Sequence, residues 1–138
     1  MFLSILGVLV IPKNNNFPRK KREKRKFCIL IPARNESLVI EDLLISIEKQ
    51  TMKIPSEDVY IIVEDKKDLT ISIAKEHNMN IVFRKDLTKK RKGYALDDAI
   101  KEILNDKKEY TAYFILDADN VLDKNFIKRM SFDFDKGY

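Results

Sequence analysis

Cysteine, histidine and tryptophan are almost missing from this chain: one, one and none in 138 residues. The single Cys28 rules out an intramolecular disulfide framework and any zinc cluster built on cysteines. The single His77 rules out paired-histidine metal sites of the H-E-x-x-H kind. A Ser-His-Asp triad would have to use that same residue, which the hydrophobic pattern puts at a helix end. Three glycines and four prolines exclude collagen-like and low-complexity chains, and there is no internal repeat. What remains is ordinary for a globular body: 44% hydrophobic residues, in a length suited to one small domain.

Basic charge is plentiful but confined. Residues 13–26 hold eight Lys or Arg and one acid, Glu23, so this arm is +7 and the rest of the chain −2, giving the net +5. An acidic body is a poor surface for nucleic acid, whose binding rests on many phosphate-neutralising cations, and no nucleic-acid partner is expected. Before the arm, residues 1–12 (MFLSILGVLVIP) are almost entirely apolar. Eleven helical residues span about 16 Å, half of a ~30 Å hydrocarbon layer, so the run cannot cross a bilayer alone. An apolar run followed by basic residues reverses the order of a secretory signal and matches a cytoplasmic flank. Residues 1–12 therefore read as a hydrophobic anchor or the stub of a transmembrane helix, and 13–26 as a basic juxtamembrane arm on anionic headgroups. The expected location is membrane-associated, with the rest of the chain on the cytoplasmic side. The competing reading is a solvated basic tail.

From Phe27 the texture changes. FCILIPA (27–33), VYIIV (59–63), NIVFR (80–84) and AYFIL (112–116) are short continuous apolar runs, the pattern of strands buried on both faces. Between and after them, helical spacing runs from Ser37 to Gln50, Asp68 to His77, Tyr94 to Leu104 and Asp123 to about Met130, with Asn35 or Ser37 as the first N-cap. The β-α-β-α-β-α-β-α order predicts an α/β domain: a mostly parallel sheet of about four strands with covering helices, over residues 27–138. In such sheets ligands bind at the carboxyl edge of the strands.

Four segments fall at that edge. In YFILDADN (113–120) a buried strand leads directly into Asp117 and Asp119, two carboxylates whose repulsion a divalent oxygen-seeking cation would relieve. Such a cation also grips the phosphate oxygens of a nucleotide; the plainer reading is a solvated Asx turn. In KKRKGYAL (89–96) four cations precede Gly93 and a helix start, which together suit an anion, although the glycine spacing is not that of a Walker A loop. In IPARNE (31–36), Arg34, Asn35 and Glu36 follow a strand end directly. In VEDKKD (63–68), Glu64 or Asp65 can accept an imide N–H or a ribose hydroxyl, while Asp68 caps a helix. Cys28 reads as a buried small hydrophobe and His77 as a helix-end charge on the dipole.

The ordered set IPARNE, IIVEDKKDLT, KKRKGYALDDAI and YFILDADNVLDKNFI resembles the nucleotide-sugar-binding half of a family 2 glycosyltransferase with the Rossmann-like GT-A fold. The resemblance implies that Ala33, Arg34, Glu36 and Glu64 hold the uracil of a UDP-sugar. It puts Lys92 and Gly93 near the nucleotide, Asp117 on the ribose, and Asp117 with Asp119 on Mn²⁺ or Mg²⁺ at the diphosphate. A UDP-sugar donor and a glycan or lipid-linked acceptor are the implied partners, with polysaccharide biosynthesis the implied setting. The second strand usually ends in Asp with small residues after it, whereas here the run is Glu64-Asp65-Lys66-Lys67. The family's acceptor-activating carboxylate and its Gln-x-x-Arg-Trp type motif lie after the D-x-D. Only 19 residues follow Asp119 here, none of them Trp, so the catalytic acceptor base is expected beyond Tyr138. The chain is then expected to bind donor without transferring sugar unless a separate C-terminal half joins it. ILDADNVL (115–122) also resembles the signature of haloacid-dehalogenase-type phosphatases, with Asp117 as nucleophile and Asp119 as acid/base. A non-catalytic nucleotide-binding module is the third reading.

Overall fold

The computed structural model describes residues 3–5, 8–12, 26–84, 92–105 and 110–135. Its strands are β1 (Leu3–Ile5), β2 (Val8–Pro12), β3 (Phe27–Pro32), β4 (Val59–Val63), β5 (Asn80–Phe83) and β6 (Ala112–Ile115). Its helices are α1 (Ile40–Glu48), α2 (Thr70–Glu76), α3 (Lys92–Asn105) and α4 (Phe126–Asp135). The six strands form one sheet in the order β1-β2-β6-β3-β4-β5. Strands β6, β3, β4 and β5 are mutually parallel, as the apolar runs predict, so their carboxyl ends share one edge. The chain goes from β3 to β4 on one side and later sets β6 on the other, which makes the β3/β6 boundary a topological switch point.

Strands β3, β4 and β6 are buried on both faces, and the alternation of their side chains divides the core in two, whereas the edge strand β5, expected from its apolar run to be buried as well, is only partly covered and leaves Phe83 exposed. Phe27, Ile29 and Ile31 of β3, Val59, Ile61 and Val63 of β4, and Ala112 and Phe114 of β6 share one layer with α1 and α4. Cys28, Leu30, Tyr60, Ile62, Tyr113 and Ile115 point the other way, packed with Ala99 and Ile103 of α3. Cys28 is indeed a buried small side chain. Helix α1 is amphipathic at the spacing its sequence shows, burying Ile40, Leu43, Leu44 and Ile47.

One expectation is corrected. Helix α1 does not start from a cap at Asn35 or Ser37: it begins at Ile40, and its cap residue Val39 makes no side-chain capping bond. At the amino terminus, residues 3–5 and 8–12, within the segment read as a hydrophobic anchor or the stub of a transmembrane helix, are strands, with β1 antiparallel to β2 and β2 antiparallel to β6 from Leu9↔Ile115 to Pro12↔Ala112. Val8, Val10 and Ile11 favour extended backbone, and β6 offers an edge whose N–H and C=O groups need partners. No helix among the described residues is long and apolar enough to cross a membrane. Residues 13–25, nearly all of the basic arm, lie outside the described residues.

Candidate functional site

The strand tips are fixed by the sheet ladder continuing past each strand. Ala33 N–H donates to Ile62 O (2.9 Å), Arg84 N–H to Val63 O (2.9 Å) and Leu116 N–H to Leu30 O (3.0 Å). Beyond these bonds opens a cavity of about 420 Å³, lined by Pro32, Ala33, Arg34, Glu36, Ile62, Glu64, Arg84, Asp117, Ala118 and Asp119. Every one of the four parallel strands therefore contributes to it. Six of the eight residues singled out in the sequence meet here: Ala33, Arg34, Glu36, Glu64, Asp117 and Asp119. The other two, Lys92 and Gly93, are the first residues of α3, while the preceding loop, 85–91, lies outside the described residues. The acceptor base expected beyond Tyr138 falls outside the described residues, which run to Asp135.

Arg84 is the site residue that sequence reasoning left unassigned. Its side chain is only 4% exposed, and Nη1 donates to Glu64 Oε1 at 2.7 Å. Nε and Nη2 are buried without a hydrogen-bond partner among the described residues. A guanidinium so enclosed needs its carboxylate, and that carboxylate forms part of the cavity wall. The second oxygen of Glu64 lies 3.8 Å from Nε of the exposed Arg34. The signal in the sequence was available: Arg84 follows an apolar strand as directly as Glu64 does. What the sequence lacks is the register, Val63↔Phe83, which sets the two residues side by side.

The loop after β3 is shaped by a carboxylate from the loop after β4. Asn35 adopts a left-handed backbone conformation (φ 53°), which asparagine tolerates better than most residues. Its N–H donates to Asp68 Oδ2 at 2.9 Å, while Asp68 Oδ1 accepts from Thr70 N–H at 2.9 Å. Burial works against the Asp68 charge, but these bonds outweigh it and hold its pKa below the ordinary carboxylate value. The cap position of α2 is Leu69, which makes no side-chain bond, and Asp68 beside it accepts the N–H of Thr70, the first residue of the helix, as well as that of Asn35.

Asp117 is half-buried and Asp119 exposed, on a turn closed by Asn120 N–H donating to Asp117 O at 3.0 Å. The turn is closed by the main-chain carbonyl of Asp117 rather than by a side-chain oxygen as in the Asx turn of the plainer reading, and both carboxylates line the cavity. Among the described residues no group of three or more His, Cys, Asp or Glu forms a ready metal cage. Two carboxylates facing one cavity fit a hard divalent cation that takes its remaining ligands from phosphate and water. His77 lies elsewhere. Its Nδ1 is 2.6 Å from Glu48 Oε1 and its Nε2 is 3.4 Å from Glu41 Oε1, so it joins α2 to α1 rather than acting on a helix dipole alone.

Solved structures share this fold. Staphylococcus aureus TarS has a structure matching 80% of this chain and 20% of its own length, at TM-score 0.60 and 19% identity. A shorter TarS structure in complex with UDP matches at TM-score 0.62 and 23% identity, over 80% of this chain and 32% of that one. Mycobacterium tuberculosis glucosyl-3-phosphoglycerate synthase, in complex with Mn²⁺, UDP and glucosyl-3-phosphoglycerate, matches at TM-score 0.54 and 20% identity, over 68% of this chain and 33% of that one. This chain thus spans about a third or less of the length of these structures. It has no match among curated protein sequences. The fold is the Rossmann-like GT-A fold that the sequence pattern implies. The family described as Glycosyl transferase family 2 matches residues 28–138, which overturns the phosphatase reading of ILDADNVL. With the D-x-D at the end of a fourth parallel strand and four strand tips around one cavity, the chain belongs to glycosyltransferase family 2.

Proposed function

We propose that the cavity binds the UDP portion of a UDP-sugar together with Mn²⁺ or Mg²⁺, as the donor side of a glycosyltransferase acting on a glycan or lipid-linked acceptor. The observation that carries this reading is the single cavity at the β3/β6 switch point, with Glu64 and Arg84 in one part of its wall and Asp117 and Asp119 in another. Those are the chemistries a nucleoside diphosphate requires: an acceptor for the imide of a pyrimidine, and carboxylates for a cation on the phosphates. Pro32, Ala33 and Ile62 supply an apolar floor for a base. Arg34 and Glu36 stand at the rim as polar contacts, and Lys92 and Gly93 at the α3 N-terminus suit the diphosphate. A bound divalent cation supplies Lewis-acid neutralisation of charge on the departing UDP. The chain's own part is to hold the base, present two carboxylates and orient the diphosphate. The neighbours bound to UDP, one with Mn²⁺ as well, support this assignment.

The basic arm completes the proposal. With residues 3–5 and 8–12 drawn into strands, the +7 segment 13–26 is the part of the amino terminus suited to anionic headgroups, on the cytoplasmic face of a membrane.

The donor reading is tested by thermal unfolding. UDP with Mn²⁺ at a hundred times its dissociation constant should stabilise the chain by about 2.7 kcal/mol. Asp119→Ala should lose most of that gain while unfolding normally without ligand. Absence of a shift from UDP in the unmodified chain, with and without metal, would refute the assignment. Replacing the arm's Lys and Arg by Gln should release the chain from phosphatidylserine vesicles; undiminished binding would refute the membrane role.

A further inference from the structure

Asp119 is held from two sides, and only one of them is the sheet. Three residues before it, Leu116 N–H is bound to Leu30 O of β3 at 3.0 Å. Three residues after it, Leu122 N–H is bound to Ser46 Oγ of α1, also at 3.0 Å. Between these anchors the backbone closes the turn from Asn120 N–H to Asp117 O. The direction in which Asp119 enters the cavity therefore depends on the second anchor as much as on β6.

That second anchor is built around Gln50. This side chain is completely buried and uses both ends of its amide. Nε2 donates to Ser46 O (3.1 Å) and to Asp123 O (2.7 Å), while Oε1 accepts from Ile127 N–H (3.0 Å). Only this orientation puts the amide nitrogen on two carbonyls and the oxygen on an N–H. Ser46 Oγ donates to Leu43 O at 2.7 Å and so keeps a lone pair directed at Leu122. Thr51 extends the seam, its N–H on Lys124 O and its hydroxyl on Asn125 Oδ1, both at 2.8 Å. Closing α1 requires none of these side-chain bonds, because Lys49 N–H to Ile45 O and Gln50 N–H to Ile47 O already end the helix. A buried amide is tolerated only when it is fully bonded, and here two of its three bonds reach the loop after D-x-D and the start of α4.

We infer that Gln50, with Ser46, is a positioning residue for Asp119: it clamps residues 122–127 to the end of α1 and thereby sets the carboxylate that meets the divalent cation. The inference rests on the donor-site reading above. Groups hydrogen-bonded to a metal ligand typically change metal affinity by about 10- to 100-fold when removed, and Gln50, which acts through the backbone of residues 122–127, is expected at the lower end.

The experiment measures Mn²⁺ binding by the full chain through the electron paramagnetic resonance of free and bound ion, with saturating UDP, and UDP binding separately in EDTA. Gln50→Met keeps the length and removes the amide. It should weaken Mn²⁺ binding at least about tenfold and broaden the bound-ion spectrum, while metal-free UDP affinity and circular dichroism stay as in the unmodified chain. Ser46→Ala removes the acceptor for Leu122, together with the hydroxyl's bond to Leu43 O within α1, and should act in the same direction more weakly; it decides the matter if Gln50→Met does not fold. A folded variant with unaltered Mn²⁺ affinity, or one losing UDP and Mn²⁺ affinity in equal measure, overturns the inference and leaves the donor site standing. If the unmodified chain shows no UDP-dependent Mn²⁺ binding, the donor-site reading fails and this inference falls with it.

Discussion

Arg84 and Glu64 share one ion pair but not one environment: their side chains are 4% and 31% exposed. Removing the carboxylate strands a buried cation that already has two unpartnered nitrogens, so Glu64→Ala should cost about 3 kcal/mol, the lower end for a broken buried pair because Glu64 is itself partly solvated. Removing the cation is different. Arg84→Met fills the same space without charge and leaves Glu64 its access to water, so the expected cost is about 1 kcal/mol or less. Urea unfolding separates these outcomes, and equal losses would show that the pair is not buried as described. Both variants should nevertheless lose UDP affinity, since both disturb the carboxylate at the wall. At this scale the sequence was informative wherever a polar residue directly follows an apolar run, as Ala33-Arg34, Glu64 and Asp117 do. It was silent on Gln50, whose partners Asp123 and Ile127 are 73 and 77 positions away and carry no local pattern.

Helices α1 and α2 are joined by a titrating contact. Burial disfavours the charged form of His77, but hydrogen bonds and attraction from Glu48 and Glu41 outweigh it and raise its pKa above the ordinary 6.5. A folded-state pKa above the unfolded one means the added stability is fully present below about pH 6.5 and is lost as pH rises through the raised value. The two glutamates are about half exposed, so solvent limits the effect to about 1 kcal/mol or less. The melting temperature should fall between pH 6 and 8, roughly the histidine range, and His77→Gln should flatten that slope. An unchanged slope would mean that other groups set it. Asp68 gives the mirror case: its lowered pKa contributes stability above about 3.8 that is lost as pH falls through the folded value. The strands of the parallel unit were legible within a residue or two because apolar runs of 4–6 residues, too short for a helix and mostly rich in Ile and Val, favour buried strands. Helix boundaries were less so. The left-handed Asn35 and its bond to Asp68 occupy the place where a cap was expected, and a partner 33 positions away decides that.

At the scale of the whole molecule, two uses compete for the amino-terminal apolar run. An apolar run before a basic cluster satisfies the rules for a membrane stub, yet the same residues also satisfy those for an edge strand, and the choice turns on whether a sheet edge is open nearby. Strand β6 supplies one, and β2 covers it over four paired positions. Deleting residues 1–12 should uncover that edge and leave β6 as a template for a second chain. Sedimentation of the truncated chain should then show concentration-dependent self-association, with a urea midpoint lower than that of the full chain. The basic arm remains in this variant, so vesicle binding should persist and distinguish loss of the strand pair from loss of the headgroup contact. If the truncated chain stays monomeric and equally stable but leaves the vesicles, residues 1–12 serve the bilayer rather than the sheet. Pairing with β6 and burial in lipid are exclusive uses of one backbone, so the two measurements together assign it to one or the other.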